Sequence, residues 1–242
     1  MDMKPIAVFQ HTEVGAPGSV IPILESLGMR CELIKVVDGQ AVPEHAGDYA
    51  GLVFMGGYMS VHDPLPWIAQ ECALIRHADL LDIPVAGHCL GSQLVAFAFG
   101  ANVHKNVRSE IGWQEVVVEG GPLGLDWWGE PEGSVIPAFQ WHGDTFDLPV
   151  GAQRIATGAH CANQAFVLRD MHLAMQSHFE MTPELVELSL ERNGAQLERE
   201  YARGNPAVTS MEETRHNVPE RTQAMAQILT QLYSRWVVNC KP

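Results

Sequence analysis

Short apolar, β-branched runs alternate with longer stretches of helical period through the first half of the chain. Residues 6–9, 31–37, 51–55 and 83–86 are short and mostly apolar, and they read as buried strands. Residues 19–27 and 67–81 repeat apolar side chains at three- and four-residue steps, and a further helix, 90–99, starts directly after the last of these strands. Gly28 and Gly100 close two of the helices, and Pro64 and Pro66 precede the third. This rhythm predicts an α/β fold, a mostly parallel sheet with helices on both faces.

The pattern then changes. Residues 113–118, 135–141 and 164–168 read as strands joined by short turns, which predicts an antiparallel extension of the sheet. Residues 173–176 make a further strand leading into Ser177-His178-Phe179-Glu180. Thr182-Pro183-Glu184 pairs a capping side chain with a proline in the first turn, so helices are expected over 183–203 and 211–238, split by Gly204-Asn205-Pro206. With no repeat or linker in view, the expectation is one domain over 1–242 with a helical C-terminal extension from about 183. Ile228, Leu232 and Trp236 stand at four-residue steps and favour core packing; a homodimer face or a docking face for a synthase subunit are the alternatives.

Composition narrows the function. Hydrophobic residues at 46% and charged residues at 18% are those of an ordinary folded domain. With 15 Lys+Arg against 29 Asp+Glu, the formal charge of -14 argues against nucleic acid and anionic membranes as partners. The apolar run after Pro5 is too short for a signal-peptide core, and the five cysteines are scattered without a C-x-x-C. A cytoplasmic protein with no structural metal or disulfide framework is therefore expected. No G-x-x-x-x-G-K-[ST] phosphate loop occurs, so no ATP cofactor is expected.

One cysteine has a setting the others lack. Gly87-His88-Cys89-Leu90-Gly91 follows an apolar strand and opens a helix, the arrangement of a nucleophile elbow, whose strained turn needs small residues two before and two after the reactive one. At a helix N-terminus the partial positive charge favours thiolate, so Cys89 is the expected nucleophile. His88 adjoins it but points elsewhere at such a turn, and packing or a polar contact is expected of it. A cysteine hydrolase needs a histidine to move the proton and a carboxylate to orient that histidine. His178 and Glu180 stand two apart on an expected strand, sharing one face at about 6.6 Å. His142 and Asp144 have the same spacing, but Gly143 intervenes where the strand is expected to end, so chemistry alone favours His178. The Leu90 N–H is one expected oxyanion donor; Gly57, in the strand-end pair Gly56-Gly57, is the second, beside its plain reading as a turn.

Together, Gly87-His88-Cys89-Leu90-Gly91-Ser92-Gln93 and Gln176-Ser177-His178-Phe179-Glu180 resemble the G-x-C-x-G-x-Q and Q-F-H-P-E motifs of the class I glutamine amidotransferase family. Gly56-Gly57-Tyr58-Met59-Ser60-Val61, Glu110-Ile111-Gly112-Trp113 and Trp141-His142-Gly143-Asp144-Thr145-Phe146 are similar to stand-alone members related to the glutaminase domain of GMP synthase. The resemblance implies a flavodoxin-like fold and the triad Cys89, His178 and Glu180, working through a γ-glutamyl thioester and releasing ammonia from glutamine. It also implies substrate contacts from Gly143 and Asp144, and Gln93, one turn beyond Cys89, stands ready to bind the substrate's α-amino or carboxylate end. Ser177 and Phe179 depart from the family's aromatic and proline. Because residues 181–242 are too few for a synthetase, a separate synthase subunit is the expected ammonia acceptor; γ-glutamyl peptide hydrolysis and a non-catalytic binding role are the alternatives.

Overall fold

The computed structural model describes residues 4–241, and its strands join in a single sheet. Its parallel half comprises β1 (Ile6–Gln10), β2 (Cys31–Lys35), β3 (Gly51–Phe54), β4 (Val85–His88) and β9 (His172–Met175), in the order β2-β1-β3-β4-β9. The sheet continues antiparallel through β8 (Ala165–Leu168), β7 (Ala152–Gly158), β5 (Val103–Val118) and β6 (Val135–Phe146).

The continuous apolar runs have a simple cause: both faces of the parallel half are covered. Ile6 and Val8 enter one core, whereas Ala7 and Phe9 enter the other. Helices α2 (Pro66–Leu80) and α3 (Leu90–Ala98) cover the second face. The first is covered by α1 (Val20–Ser26), α4 (Gly121–Trp128), α5 (Pro183–Ala202) and α7 (Val218–Trp236). Leu229, Leu232, Tyr233 and Trp236 of α7 are fully buried there, so this helix packs on the sheet, each large side chain contributing about 2–3 kcal/mol.

Several expectations need correction. Helix α4 intervenes between β5 and β6, where only a short turn was expected. Its two glycines, Gly121 and Gly124, and adjacent tryptophans hide any helical period, yet Trp127 and Trp128 are buried against the sheet. Strand β7 was not anticipated, and β5 begins at Val103 rather than Trp113. A register shift between Lys105 and Glu110 interrupts its alternation with polar residues. The expected helix over 211–238 is broken into α6 (Met211–Arg215) and α7, because Asn217 takes a left-handed φ of 51° and Pro219 lies in the first turn of α7. Strand β6 does not end at Trp141 but runs through Gly143 to Phe146, so His142 lies in a strand and not a loop. Conversely, β9 stops at Met175; His178 makes an isolated bridge to Phe139, and Glu180 is outside any strand.

Candidate active site

The elbow is built by close backbone approach. Cys89 joins β4 to α3 with φ 49° and ψ -107°, a conformation that L-residues rarely adopt. Its N–H donates to Met175 O (2.8 Å) in the neighbouring strand, and its carbonyl accepts from Gln93 N (3.1 Å) and Ser92 Oγ (2.6 Å). A Cβ on Gly87 would lie 2.5 Å from the Gly91 backbone, and one on Gly91 would lie 1.9 Å from Phe54 O. Neither backbone can retreat cheaply, which is why both positions are glycine.

The structure brings Cys89, His178 and Glu180 together. Cys89 and His178 line one small recess, the Cys89 thiol is directed at Trp141 O (3.9 Å), and His178 Nδ1 lies 2.6 Å from Glu180 Oε1. The second oxygen of Glu180 accepts from His88 Nδ1 at 2.9 Å, and His88 Nε2 meets Tyr233 Oη at 2.8 Å. Burial alone would lower the His178 pKa, but Glu180 and then Cys89 outweigh it and hold the ring well above its ordinary value. Burial would likewise raise Glu180, yet His178 and His88 reverse the sign and hold it well below the usual carboxylate range. The other thiols are suppressed: burial pushes Cys31, Cys72 and Cys161 up to about 11 and Cys240 to about 12.

Cys89 stands where two hollows meet. A cavity of about 880 Å³ is lined by Gly57, Cys89, Gln93, Gly143 and Asp144, with Arg108 and Arg203 also on its wall. A recess of about 40 Å³ lies on the other side, between Cys89, Gly56 and His178. Leu90 is the first residue of α3, so its N–H has no partner within the helix. Gly57 approaches from the end of β3, where a Cβ would lie 2.9 Å from Leu90 Cδ2. Gln93 Nε2 donates to Asp144 O (3.3 Å) and Gln176 Oε1 (3.1 Å), and Gln93 lines the cavity. Asp144 Oδ1 has Lys105 Nζ at 2.5 Å as an ion-pair partner, in poor alignment for a hydrogen bond.

His142 is brought to the cavity but not to the thiol's proton path. Its carboxylate partner is Glu110, at 2.9 Å, and not Asp144, whose backbone oxygen accepts from Nδ1 at 2.8 Å. Both ring nitrogens thus face acceptors, and the ring braces the Gly143-Asp144 strand segment. Among the described residues, Glu110, His142 and Cys161 form the group close enough to hold a metal ion, with ligand atoms within 4.8 Å of one another. Their donors are already engaged: Glu110 Oε2 also accepts from Gln164 Nε2 (2.7 Å), and Cys161 Sγ contacts Thr145 Oγ1 (3.2 Å).

Sequence reasoning missed this bracing. His11 pairs with Glu71 at 3.0 Å while its Nδ1 donates to Met55 O (2.9 Å), just ahead of Gly56-Gly57. Three buried His–Glu pairs, His11–Glu71, His88–Glu180 and His142–Glu110, therefore brace the site, and of their members only His11 and Glu71 fall outside the quoted motifs. The motif departures have plain structural roles. Ser177 Oγ donates to Gln164 Oε1 and accepts from Gln140 Nε2, both at 2.7 Å, and Phe179 packs edge-on against Trp128 at 5.5 Å.

A doubly covered α/β sheet with a strained cysteine elbow at the carboxyl end of a central strand defines a class of enzyme-like folds whose sites form at strand ends. Residues 18–196 match the family model for glutamine amidotransferase class-I, and the chain belongs to that family, whose members are cysteine-dependent amidohydrolases. It is 29% identical over 214 residues to a glutamine amidotransferase-like protein of Salmonella typhimurium, covering 85% of this chain and 87% of that one. A solved structure described as a glutamine amidotransferase from Methylobacillus flagellatus superposes with a TM-score of 0.95 at 33% identity, covering 99% of this chain and 96% of the other. The chain is also 24% identical to gamma-glutamyl peptidase 4 of Arabidopsis thaliana, over 80% of this chain and 79% of that one. The flavodoxin-like fold expected from the motifs is thus the observed one. Among the described residues, no helix is long and apolar enough to cross a membrane.

Proposed function

We propose that the chain hydrolyses the side-chain amide of glutamine through a Cys89-His178-Glu180 triad. The observation that carries this reading is the elbow thiol and His178 on one recess, with His178 bonded to Glu180 at 2.6 Å, beside an open cavity. The Cys89 sulfur attacks the δ-carbonyl carbon, and the tetrahedral oxyanion is met by the N–H groups of Gly57 and Leu90, each such donor contributing about 3 kcal/mol. His178 gives its proton to the departing nitrogen, so ammonia leaves and a γ-glutamyl thioester remains. The now neutral ring takes a proton from water, which attacks the thioester and releases glutamate and the thiol. Glu180 stays ionised throughout and fixes the ring with Nε2 toward sulfur. Gln93, Gly143 and Asp144 hold the amino-acid end of the substrate. The ammonia acceptor under this reading is a separate synthase subunit.

A second reading, hydrolysis of γ-glutamyl peptides, is favoured by the cavity. Its volume of about 880 Å³ is in the range that encloses drug-sized ligands, well beyond one amino acid. The same thioester chemistry would then release an amine with a larger substituent. Purified protein should be given glutamine, γ-glutamyl dipeptides and glutathione, with ammonia or amine release measured beside Cys89→Ala. Loss of all turnover in that variant is expected. Turnover of the peptides alone would establish the peptidase reading, and activity surviving the substitution would overturn both.

A further inference from the structure

Glu180 has a second partner that the proposed chemistry does not use. While Oε1 faces His178, Oε2 lies 2.9 Å from Nδ1 of His88, the residue immediately before the nucleophile. Behind His88 stands Tyr233 of α7, its Oη 2.8 Å from Nε2. His88 and Tyr233 are completely buried. An ionised carboxylate only accepts, so His88 Nδ1 must carry a proton. Burial, reinforced by Glu180, keeps the Tyr233 hydroxyl protonated, and this hydroxyl engages the second ring nitrogen, Nε2. Held at both nitrogens, the ring keeps Nδ1–H aimed at Glu180.

We propose that His88, its ring anchored by Tyr233, is a positioning residue that clamps Glu180 so that Oε1 stays aimed at His178. The proposal rests on the triad reading above. A carboxylate bound through one oxygen can swing about its terminal torsion, whereas one bound through both is fixed in plane. Its backbone is held independently, because Glu180 O accepts from Ser19 N at 3.0 Å, so the side-chain torsion is the freedom left to restrain. The titratable groups facing this line are Cys89 and His178 at one end and Cys31, near Tyr233, at the other. Tyr233 lies outside the family-matched residues 18–196, so the C-terminal helix contributes to the reacting centre through a contact that the family motifs do not contain. A polar group that merely filled the core would affect stability and leave kcat, KM and thiol reactivity as they are.

The test compares His88→Leu, His88→Asn, Tyr233→Phe and, as a control, His178→Asn. One readout is kcat and KM with glutamine and with γ-glutamyl-p-nitroanilide. The other is the rate at which iodoacetamide alkylates Cys89 near neutral pH, followed by mass spectrometry, which needs no turnover. His88→Leu should lower kcat and the alkylation rate by about 10-fold with KM unchanged, the loss expected for one hydrogen bond to a charged group. Its acid limb in kcat should move to higher pH, since Glu180 loses one of the two partners that keep it ionised. Asparagine, whose amide N–H stands close to where Nδ1–H stood, should restore both rates to within about 3-fold of wild type. Tyr233→Phe, nearly isosteric, should lower both rates by about 3-fold, and it decides the matter if His88→Leu does not fold. Wild-type rates in Tyr233→Phe and in folded His88→Leu, with His178→Asn slowed, would overturn the clamp and leave the triad standing. If His178→Asn alkylates at the wild-type rate, the triad fails and the clamp falls with it.

Discussion

Replacing Cys89 by glycine and by alanine separates the geometry of the elbow from the chemistry of its thiol. Both variants lack the sulfur, but alanine keeps a Cβ at φ 49° and ψ -107°, where glycine is free of strain. Strain of this kind costs about 2 kcal/mol. Against it, glycine loses about 0.7 kcal/mol through its freer unfolded chain and about 0.5 kcal/mol through the missing buried methyl. The balance leaves the glycine variant more stable than alanine by about 1 kcal/mol, which for a chain of this size is roughly 2–4 °C in Tm. Calorimetric scans of the two proteins in one buffer measure the difference directly. Equal or lower Tm for Cys89→Gly would refute the claim that the turn is strained, and with it the physical reason for an elbow at this position.

Other consequences follow from the same geometry. His178→Asn should lower kcat by about 10³-fold. By contrast, His142→Asn should keep kcat within about 10-fold and act on KM and stability, because His142 braces Gly143-Asp144 and moves no proton; initial-rate kinetics on both variants check this. Gly91→Ala puts a Cβ 1.9 Å from Phe54 O and should cost about 3 kcal/mol or more, read as a fall in Tm together with lost turnover. Glu180 is held below its ordinary value of 4.5, so its stabilisation is present above that pH and is lost as pH falls below it. His178, held above 6.5, has the opposite sign: its contribution is present below 6.5 and is lost as pH rises through the folded pKa. Urea midpoints measured across both ranges should therefore show a weaker acid-side slope in Glu180→Gln and a weaker alkaline-side slope in His178→Asn.

The parallel half of the sheet was legible because burial on both faces writes continuous apolar runs such as Ile6-Ala7-Val8-Phe9, bounded by glycines and prolines. The cysteine turn was legible too, since Gly87 and Gly91 are required by contacts only a few residues away in sequence or one strand over. Local pattern failed where structure depends on distant partners. Helix α4 is made by Trp127 and Trp128 seeking the sheet, against its own glycines. His178 and Glu180 meet although they are not on a regular strand, because Phe139 O holds His178 N at 2.9 Å after β9 has ended. The pairs His11–Glu71, His88–Glu180 and His142–Glu110 span tens of residues and carry no shared spacing, so no motif could have named them.

The central claim is that Cys89 is the nucleophile toward a γ-glutamyl carbonyl. A glutamine analogue with a chloromethyl ketone in place of the carboxamide sets its ketone carbonyl where the δ-carbonyl lies, and the thiol displaces chloride from the adjacent CH2 to form a stable thioether. Peptide mass mapping after such labelling distinguishes Cys89 from Cys31, Cys72, Cys161 and Cys240. The account predicts one adduct, on Cys89, whose formation glutamine slows by competition and His178→Asn slows directly. An adduct on another cysteine, or an unmodified Cys89 in protein that still turns over glutamine, would contradict it.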